Sequence, residues 1–344
     1  MIPPQHRPQS ASGSSTTSPH DRQRGGNTPS TTARPICRNR LAVLAVKVAD
    51  ACIPTHHLAA GAFVNPQPAR CSEAALVMSA DLITIFDRRA WRLHRNRAAR
   101  TGCVDFLHAE VADRLVERLD SLGRQFDTAL DLGAHNGALS RAIGRRSGIK
   151  RIVTVDPTPA FLKAGCGMPV AADPELIPFS EGQFDLVISA LALHWVGDLP
   201  GTLVQLRRVL RHSGLFLGAM LGGRTLAELR TALFEAELAE EGGVSPRVSP
   251  TTDLADVAAL LLRTGFAMPI ADAETITVTY SDPFALMREL RNMGETNALS
   301  SRRRTPLRRS TLARAAAIYT KRFGLPDNRI PATFEILFLT GWAP

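Results

Sequence analysis

The chain has 344 residues, 44% of them apolar, and a net charge of +9, which is ample material for a buried core in one large domain or two modest ones. It holds no apolar run of about 18 residues or more, so no membrane-spanning helix is expected. The positive excess is arginine, since lysine stands only at Lys47, Lys150, Lys163 and Lys321; such an excess permits an acidic partner without demanding one.

Residues 1–35 are rich in Pro, Ser, Thr, Gln and Arg, with Asp21 their one acid. They cannot bury enough apolar surface to offset chain entropy and are expected to be disordered. Residues 36–77 contain the apolar run Leu41–Val46 but no periodicity beyond one short helix. An Arg-rich, acid-poor composition suits a mitochondrial presequence; the reading preferred here places the true start at Met78, with residues 1–77 a dispensable extension. Residues 78–125 read as an N-terminal helical cap. Within it Phe86-Asp87-Arg88 leads into a basic stretch with Arg89, Arg92, Arg95, Arg97 and Arg100. A helix from about Phe106 to Leu119 then puts Val111, Leu115 and Leu119 on one face.

From residue 126 to 344 strands alternate with helices, the signature of an open parallel sheet. The first strand ends at Asp131 and the second, Arg151–Val155, at Asp156. A short third lies at Pro169-Val170-Ala171, before Asp173, and the fourth is Phe184–Ser189. A helix over Leu199–Leu210 precedes a fifth strand, Leu215–Met220. Helices are expected over Thr225–Leu238, Thr252–Leu262, Pro283–Met293 and Leu312–Arg322, with strands at Glu274–Thr279 and Thr333–Leu339.

The most informative segment is Asp131-Leu132-Gly133-Ala134-His135-Asn136-Gly137. A strand ending in an acid, a tight glycine turn and a helix start make a backbone-lined notch for a charged small molecule. The spacing D-x-G-x-x-x-G resembles the first loop of S-adenosylmethionine (SAM) methyltransferases, and the G-x-G-x-x-G of NAD enzymes is absent. The fold class that follows is α/β: a Rossmann-like, seven-stranded class I methyltransferase sheet. Its last strand would run antiparallel beside the sixth, with helical lid insertions at about 224–250 and 282–330.

In that frame the strand ends supply a nucleoside site. Asp131 is placed to order a methionine amino group or a bridging water, and Gly133 and Gly137 let backbone approach the ligand. Asp156, 19 residues after Gly137, can accept both ribose hydroxyls, and Asp173 the adenine amino group. Leu191 and Leu193 would be apolar walls. Any one of these acids is as readily a helix cap; their order carries the reading. His135 stands where the motif usually has glycine, and either crowds the methionine end or points into the site as a polar contact. His tolerates left-handed backbone better than most residues. His194, after the fourth strand, is either a base with a pKa near working pH or a packing residue. Methyl transfer is an in-line displacement that gains mainly from proximity, so a base is optional.

Elsewhere, Asn292-Met293-Gly294-Glu295-Thr296-Asn297 reads as a helix cap at Gly294 followed by a loop in the lid. Arg302, Arg303, Arg304, Arg308 and Arg309 have no aromatic residues between them, so nucleic acid is not an expected partner. Cys37, Cys52, Cys71, Cys103 and Cys166 are odd in number and hold no C-x-x-C pair, against a zinc site or a disulfide framework. No metal site is expected, and no facial triad of two His and a carboxylate at helical or hairpin spacing is seen. The Asn-Pro-Pro-aromatic box of amino-group methyltransferases is absent.

Several segments together resemble one group. They are Phe86-Asp87-Arg88, the Asp131–Gly137 loop, Ala172-Asp173-Pro174-Glu175-Leu176-Ile177-Pro178-Phe179, Phe184–Val187 and Leu193-His194-Trp195-Val196-Gly197-Asp198-Leu199-Pro200. Gly218–Gly223, Thr225–Arg230, Glu240-Glu241-Gly242-Gly243, Met293–Asn297 and Pro331-Ala332-Thr333 agree as well. They resemble the mitochondrial complex I assembly factor 5 family and its bacterial relatives, a group similar to the malonyl-acyl-carrier-protein methyltransferase of biotin synthesis. The resemblance covers Phe86 to Trp342.

It implies SAM as cofactor, held by Asp131, Gly133, Gly137, Asp156 and Asp173. It implies a protein substrate under the lid, a complex I subunit or acyl carrier protein, and a cytoplasmic location, or the mitochondrial matrix in a eukaryote. The first expectation is a SAM-dependent methyltransferase acting on a protein or carrier protein in complex I assembly. The family's own role, hydroxylation of an arginine in a complex I core subunit, is the second. A non-catalytic assembly chaperone, kept open by His135, is the third.

Overall fold

Burial with a period of two builds the sheet. In β1 (Thr128–Leu132) Leu130 and Leu132 enter the core on one face, while Ala129 packs with the opposite layer. This computed structural model describes residues 84–344 apart from 147 and 250; the extension expected at 1–77 lies outside the described residues. The chain runs α1 (Arg88–Thr101), α2 (Phe106–Ser121), β1, α3 (Ala138–Gly144), β2 (Arg151–Val155), α4 (Pro159–Leu162), β3 (Met168–Val170) and β4 (Phe184–Ala190). A 3-10 turn at Leu193–Trp195 leads to α5 (Leu199–Val209), β5 (Leu210–Leu221), α6 (Ala227–Glu241) and α7 (Leu254–Arg263). Then come β6 (Ala267–Tyr280), α8 (Pro283–Met293), α9 (Arg309–Phe323) and β7 (Ile330–Trp342).

The seven strands lie in the order β3-β2-β1-β4-β5-β7-β6. Strands β1 to β5 pair in parallel, and β7 runs antiparallel between β5 and β6, with Gly218 opposite Leu339. This is the class I methyltransferase sheet expected from the sequence, the last strand inserted beside the sixth. Strands β6 and β7 extend several residues beyond their expected ends. The outer part of β6 alternates half-buried with exposed residues, so it offers no apolar run to find.

Helices cover both faces. Leu107, Val111, Leu115 and Leu119 of α2 join α3, α6, α8 and α9 on one side; Leu203 and Leu206 of α5 join Val257 and Leu261 of α7 on the other. Helix α2 therefore belongs to the sheet's own layer. The basic stretch is itself a helix, α1. Asp87 caps it by accepting from the Ala90 N–H at 3.0 Å, and Gly102 ends it at φ +87°. Its inner face, Ala90 and Trp91, packs with Phe86, Trp195, Ala298 and Leu299 in a small third cluster.

Trp91 anchors α1: it is 1% exposed, with its ring centroid 6.0 Å from that of Trp195. Trp91→Ala should cost about 3 kcal/mol in urea unfolding and open α1 to trypsin before the sheet unfolds. Cleavage at the same rate as in the unaltered chain would remove the anchoring role.

Candidate functional site

The loops at the carboxyl ends of β1, β2 and β4 converge under α1, where open α/β sheets bind ligands. The loop after β1 turns on Gly133, at φ +75°; a Cβ there would sit 2.1 Å from the Ala192 Cβ. Gly137, at φ +81°, has Gly165 Cα 2.4 Å from where a Cβ would be. Neither position admits a side chain. His135 between them takes the left-handed conformation at φ 49°.

Asp131 ends β1 fully buried, with no donor in hydrogen-bond geometry to either carboxyl oxygen. Burial, and then the charge of Asp156, push its pKa up to about 8, against weak relief from the Ser140 N–H. A buried, unpartnered carboxyl is costly and marks a place for a donor from outside the chain.

Asp156, at the end of β2, is the opposite case. Its Oδ2 accepts from Arg95 Nη2 at 2.5 Å and from the His135 N–H at 3.0 Å, and its Oδ1 from the Thr158 N–H at 2.8 Å. Arg95 is 2% exposed, and its guanidinium lies 5.2 Å from the Trp91 ring centroid and 5.1 Å from that of Phe161. Asp173 follows the same pattern. Arg92 stands 3.3 Å and Arg88 3.5 Å from its carboxylate, and Arg88 also donates to the Trp195 carbonyl at 2.9 Å. Helix α1 thus lays three arginines on the two acids that the sequence assigns to ribose and adenine.

The His135 ring is buried between His108, stacked at 3.9 Å, and Phe161 at 4.1 Å. Its Nε2 lies 3.0 Å from the Met293 carbonyl, which can only accept, so the proton sits on Nε2. Burial holds the ring neutral, with a pKa well below the usual value. His108 is pushed down to about 4 by burial, and neither of its nitrogens has a partner. Cys103, 3.7 Å from His135 Nε2, is pushed up to about 12 by burial and stays a thiol. Leu191 is buried beside this group at φ 54°, and Leu193 packs on the other side of the sheet.

His194 meets Glu295, from the loop after α8. Its Nε2 lies 3.2 Å from Glu295 Oε2, which also accepts from Trp195 Nε1 at 2.9 Å. Gly294 is the left-handed cap of α8, as expected, and delivers Glu295 to this position. Burial opposes ionisation of Glu295, yet the bond from His194 and the nearby positive charges hold its carboxyl below the usual range. Two arginines of the later run are engaged in pairs: Arg302 with Asp87 at 2.8 Å, and Arg303 with Glu241.

Asp131, Gly133, His135, Gly137, Asp156 and Leu191 gather in one buried neighbourhood, with Asp173 reached through α1. Sequence reasoning missed Arg95, His108 and Glu295. Arg95 was masked by five other arginines in its helix. His108 carried a signal, a polar residue on the apolar face shared with Val111 and Leu115.

His135→Gly relieves a left-handed cost of about 1 kcal/mol but removes a ring packed on both faces. A net loss of about 2 kcal/mol is expected in thermal melts. A rise in melting temperature would mean that the ring is strain rather than packing.

A family model described as a methyltransferase domain matches residues 130–218. The chain is 38% identical over 273 residues to "Arginine-hydroxylase NDUFAF5, mitochondrial" of Danio rerio, covering 76% of this chain and 84% of that one. It is 40% identical over 268 residues to the protein of the same name in Homo sapiens, covering 76% and 77%. It is also 37% identical over 268 residues to "Malonyl-[acyl-carrier protein] O-methyltransferase" of Halorhodospira halophila, covering 74% and 88%. With this identity over about three quarters of its length, the chain belongs to the class I SAM-dependent methyltransferase family that contains NDUFAF5 and malonyl-[acyl-carrier protein] O-methyltransferase.

Proposed function

We propose that this chain binds SAM across the carboxyl ends of β1 to β3 and modifies an arginine of another protein during respiratory complex I assembly, with methyl transfer as its reaction. The carrying observation for the cofactor is Asp131, a fully buried carboxyl with two unpartnered oxygens at the end of β1. Those oxygens fit a methionine ammonium. Gly133 and Gly137 bring backbone to the ligand's edge. Asp156 fits the two ribose hydroxyls once Arg95 withdraws, and Asp173 the adenine amino group once Arg88 and Arg92 give way. Leu191 is an apolar wall, whereas Leu193 packs in the opposite layer and is not one, and His135 narrows the methionine end. The regions 224–250 and 282–330, with α6, α8 and α9, form the lid. The names of the NDUFAF5 relatives support an arginine acceptor.

Bound SAM supplies a methyl group on a sulfonium. An acceptor nitrogen that takes it must shed a proton, and His194 is the residue placed to receive it. With Nε2–H directed at Glu295, the Nδ1 lone pair is left buried and without a partner. A carboxylate that fixes one tautomer of a histidine is a familiar way to orient a base. Hydroxylation of the same arginine is the second reading, favoured by the word "hydroxylase" in those relatives' names.

Two measurements test this. Peptide mass spectrometry of complex I subunits, with and without this gene, should show a lost one-methylene shift on an arginine. A lost one-oxygen shift there selects hydroxylation, and a shift on acyl carrier protein alone removes the arginine acceptor. The second concerns Asp131. Below its pKa of about 8 it is protonated in the free protein, and beside an ammonium it ionises. SAM binding should therefore release close to one proton at pH 7, and affinity should rise up to about tenfold per pH unit between pH 6 and 7.5. Calorimetry in buffers of different ionisation enthalpy reads this; no release would take Asp131 out of the ammonium site.

A further inference from the structure

Glu295 is half used. Both donors that reach it, His194 Nε2 and Trp195 Nε1, go to Oε2; Oε1 is equally buried and has no partner. The side chain is 11% exposed, and His194 is the only basic group within ion-pair distance of it among the described residues. An ionised carboxylate with one bare oxygen is an expensive thing to bury unless a cation completes it. Among the described residues no donor reaches Oε1. His108, next to it electrostatically, is neutral and carries two unpartnered nitrogens. Arg95 is committed to Asp156.

The surroundings are also close to an opening. Phe86 meets Trp195 edge-on at 5.2 Å and bridges to Leu299. Leu299 and its neighbours Ser300 and Ile85 line a cavity of about 710 Å³ that also touches Gly223, Arg230 and Asp253. Phe86 thus links the wall of that cavity, at Leu299, to Trp195, which donates to Glu295.

From this geometry we infer that Glu295 is the specificity carboxylate for the acceptor, its free Oε1 receiving the guanidinium of the incoming arginine side chain while Oε2 stays tied to His194 and Trp195. The assignment rests on the arginine reading above and deepens it. It also separates two roles for one residue. As a mere tether, Glu295 needs only an acceptor atom; as a cation receptor, it needs its charge.

The test uses the full chain and two capped tripeptides, acetyl-Gly-Arg-Gly-amide and its citrulline counterpart, which keeps the shape and loses the charge. Binding is followed by tryptophan fluorescence, since Trp195 donates to Glu295, and by calorimetry. The arginine peptide is expected to bind at least about tenfold tighter than the citrulline peptide. Glu295→Gln, whose amide oxygen still accepts from Trp195 and His194, should erase that difference while leaving the melting temperature and the affinity for SAM unchanged. Equal binding of the two peptides to the unaltered chain overturns the proposal, and so does an undiminished preference in Glu295→Gln. If that variant fails to fold, the comparison of peptides on the unaltered chain still decides. The outcome is separable from the functional reading. An arginine modified in the cell without peptide discrimination sinks Glu295 alone; modification confined to acyl carrier protein sinks both.

Discussion

The Asp156 carboxylate is the constraint on which the rest of the site depends. Its two oxygens take three donors, from α1, from the turn after β1 and from the start of the loop into α4. One buried charge therefore fixes three segments that are far apart in sequence. Removing one partner of a buried ion pair costs several kcal/mol because the other is left uncompensated. That cost ties α1 to the sheet more firmly than its small apolar cluster alone would. If Asp156 accepts from a ribose, as proposed, α1 and that ligand compete for one acid. Asp156 keeps two backbone donors when Arg95 leaves, so the exchange is cheaper than breaking an isolated pair.

Around this pair the protein keeps other charges out. His135 and His108 are stacked, buried and neutral, and Cys103 is a thiol. Asp131, 0% exposed, is pushed toward its neutral form by burial and by Asp156. Two adjacent acids thus have different surroundings: Asp156 is paired with an arginine, and neither oxygen of Asp131 has a donor. Similar residue types at similar strand ends differ through their partners alone.

The sheet was legible because β1, β2, β4 and the inner part of β5 carry short, mainly apolar runs, as the buried strands of a parallel sheet do, while β3 is short and mostly exposed. The acids were legible because strand ends place them. Their partners were not. Asp156 and Arg95 are 61 residues apart, and nothing in a run of arginines says which one turns inward. Trp91 was the available hint, an aromatic residue with no other reason to sit among charges. Glu295 was hidden differently. Gly294 before it explained the local backbone completely, and a glycine cap accounts for a chain reversal without saying what the next side chain meets.

The charge of the acceptor is where this family must divide. A malonyl thioester presents a carboxylate and an arginine presents a cation, yet the relatives named for each match this chain about equally well. If the strand ends hold the methyl donor as proposed, they do not by themselves choose between the two acceptors. On the proposed reading discrimination comes from the acceptor side, where Glu295 is a buried carboxylate with an unpartnered oxygen. At about 4 Å and an effective dielectric near 20, it favours a guanidinium and opposes a carboxylate by roughly 4 kcal/mol each. If Glu295 meets the acceptor as proposed, a preference of that size is enough to distinguish a cationic from an anionic acceptor at a single loop residue.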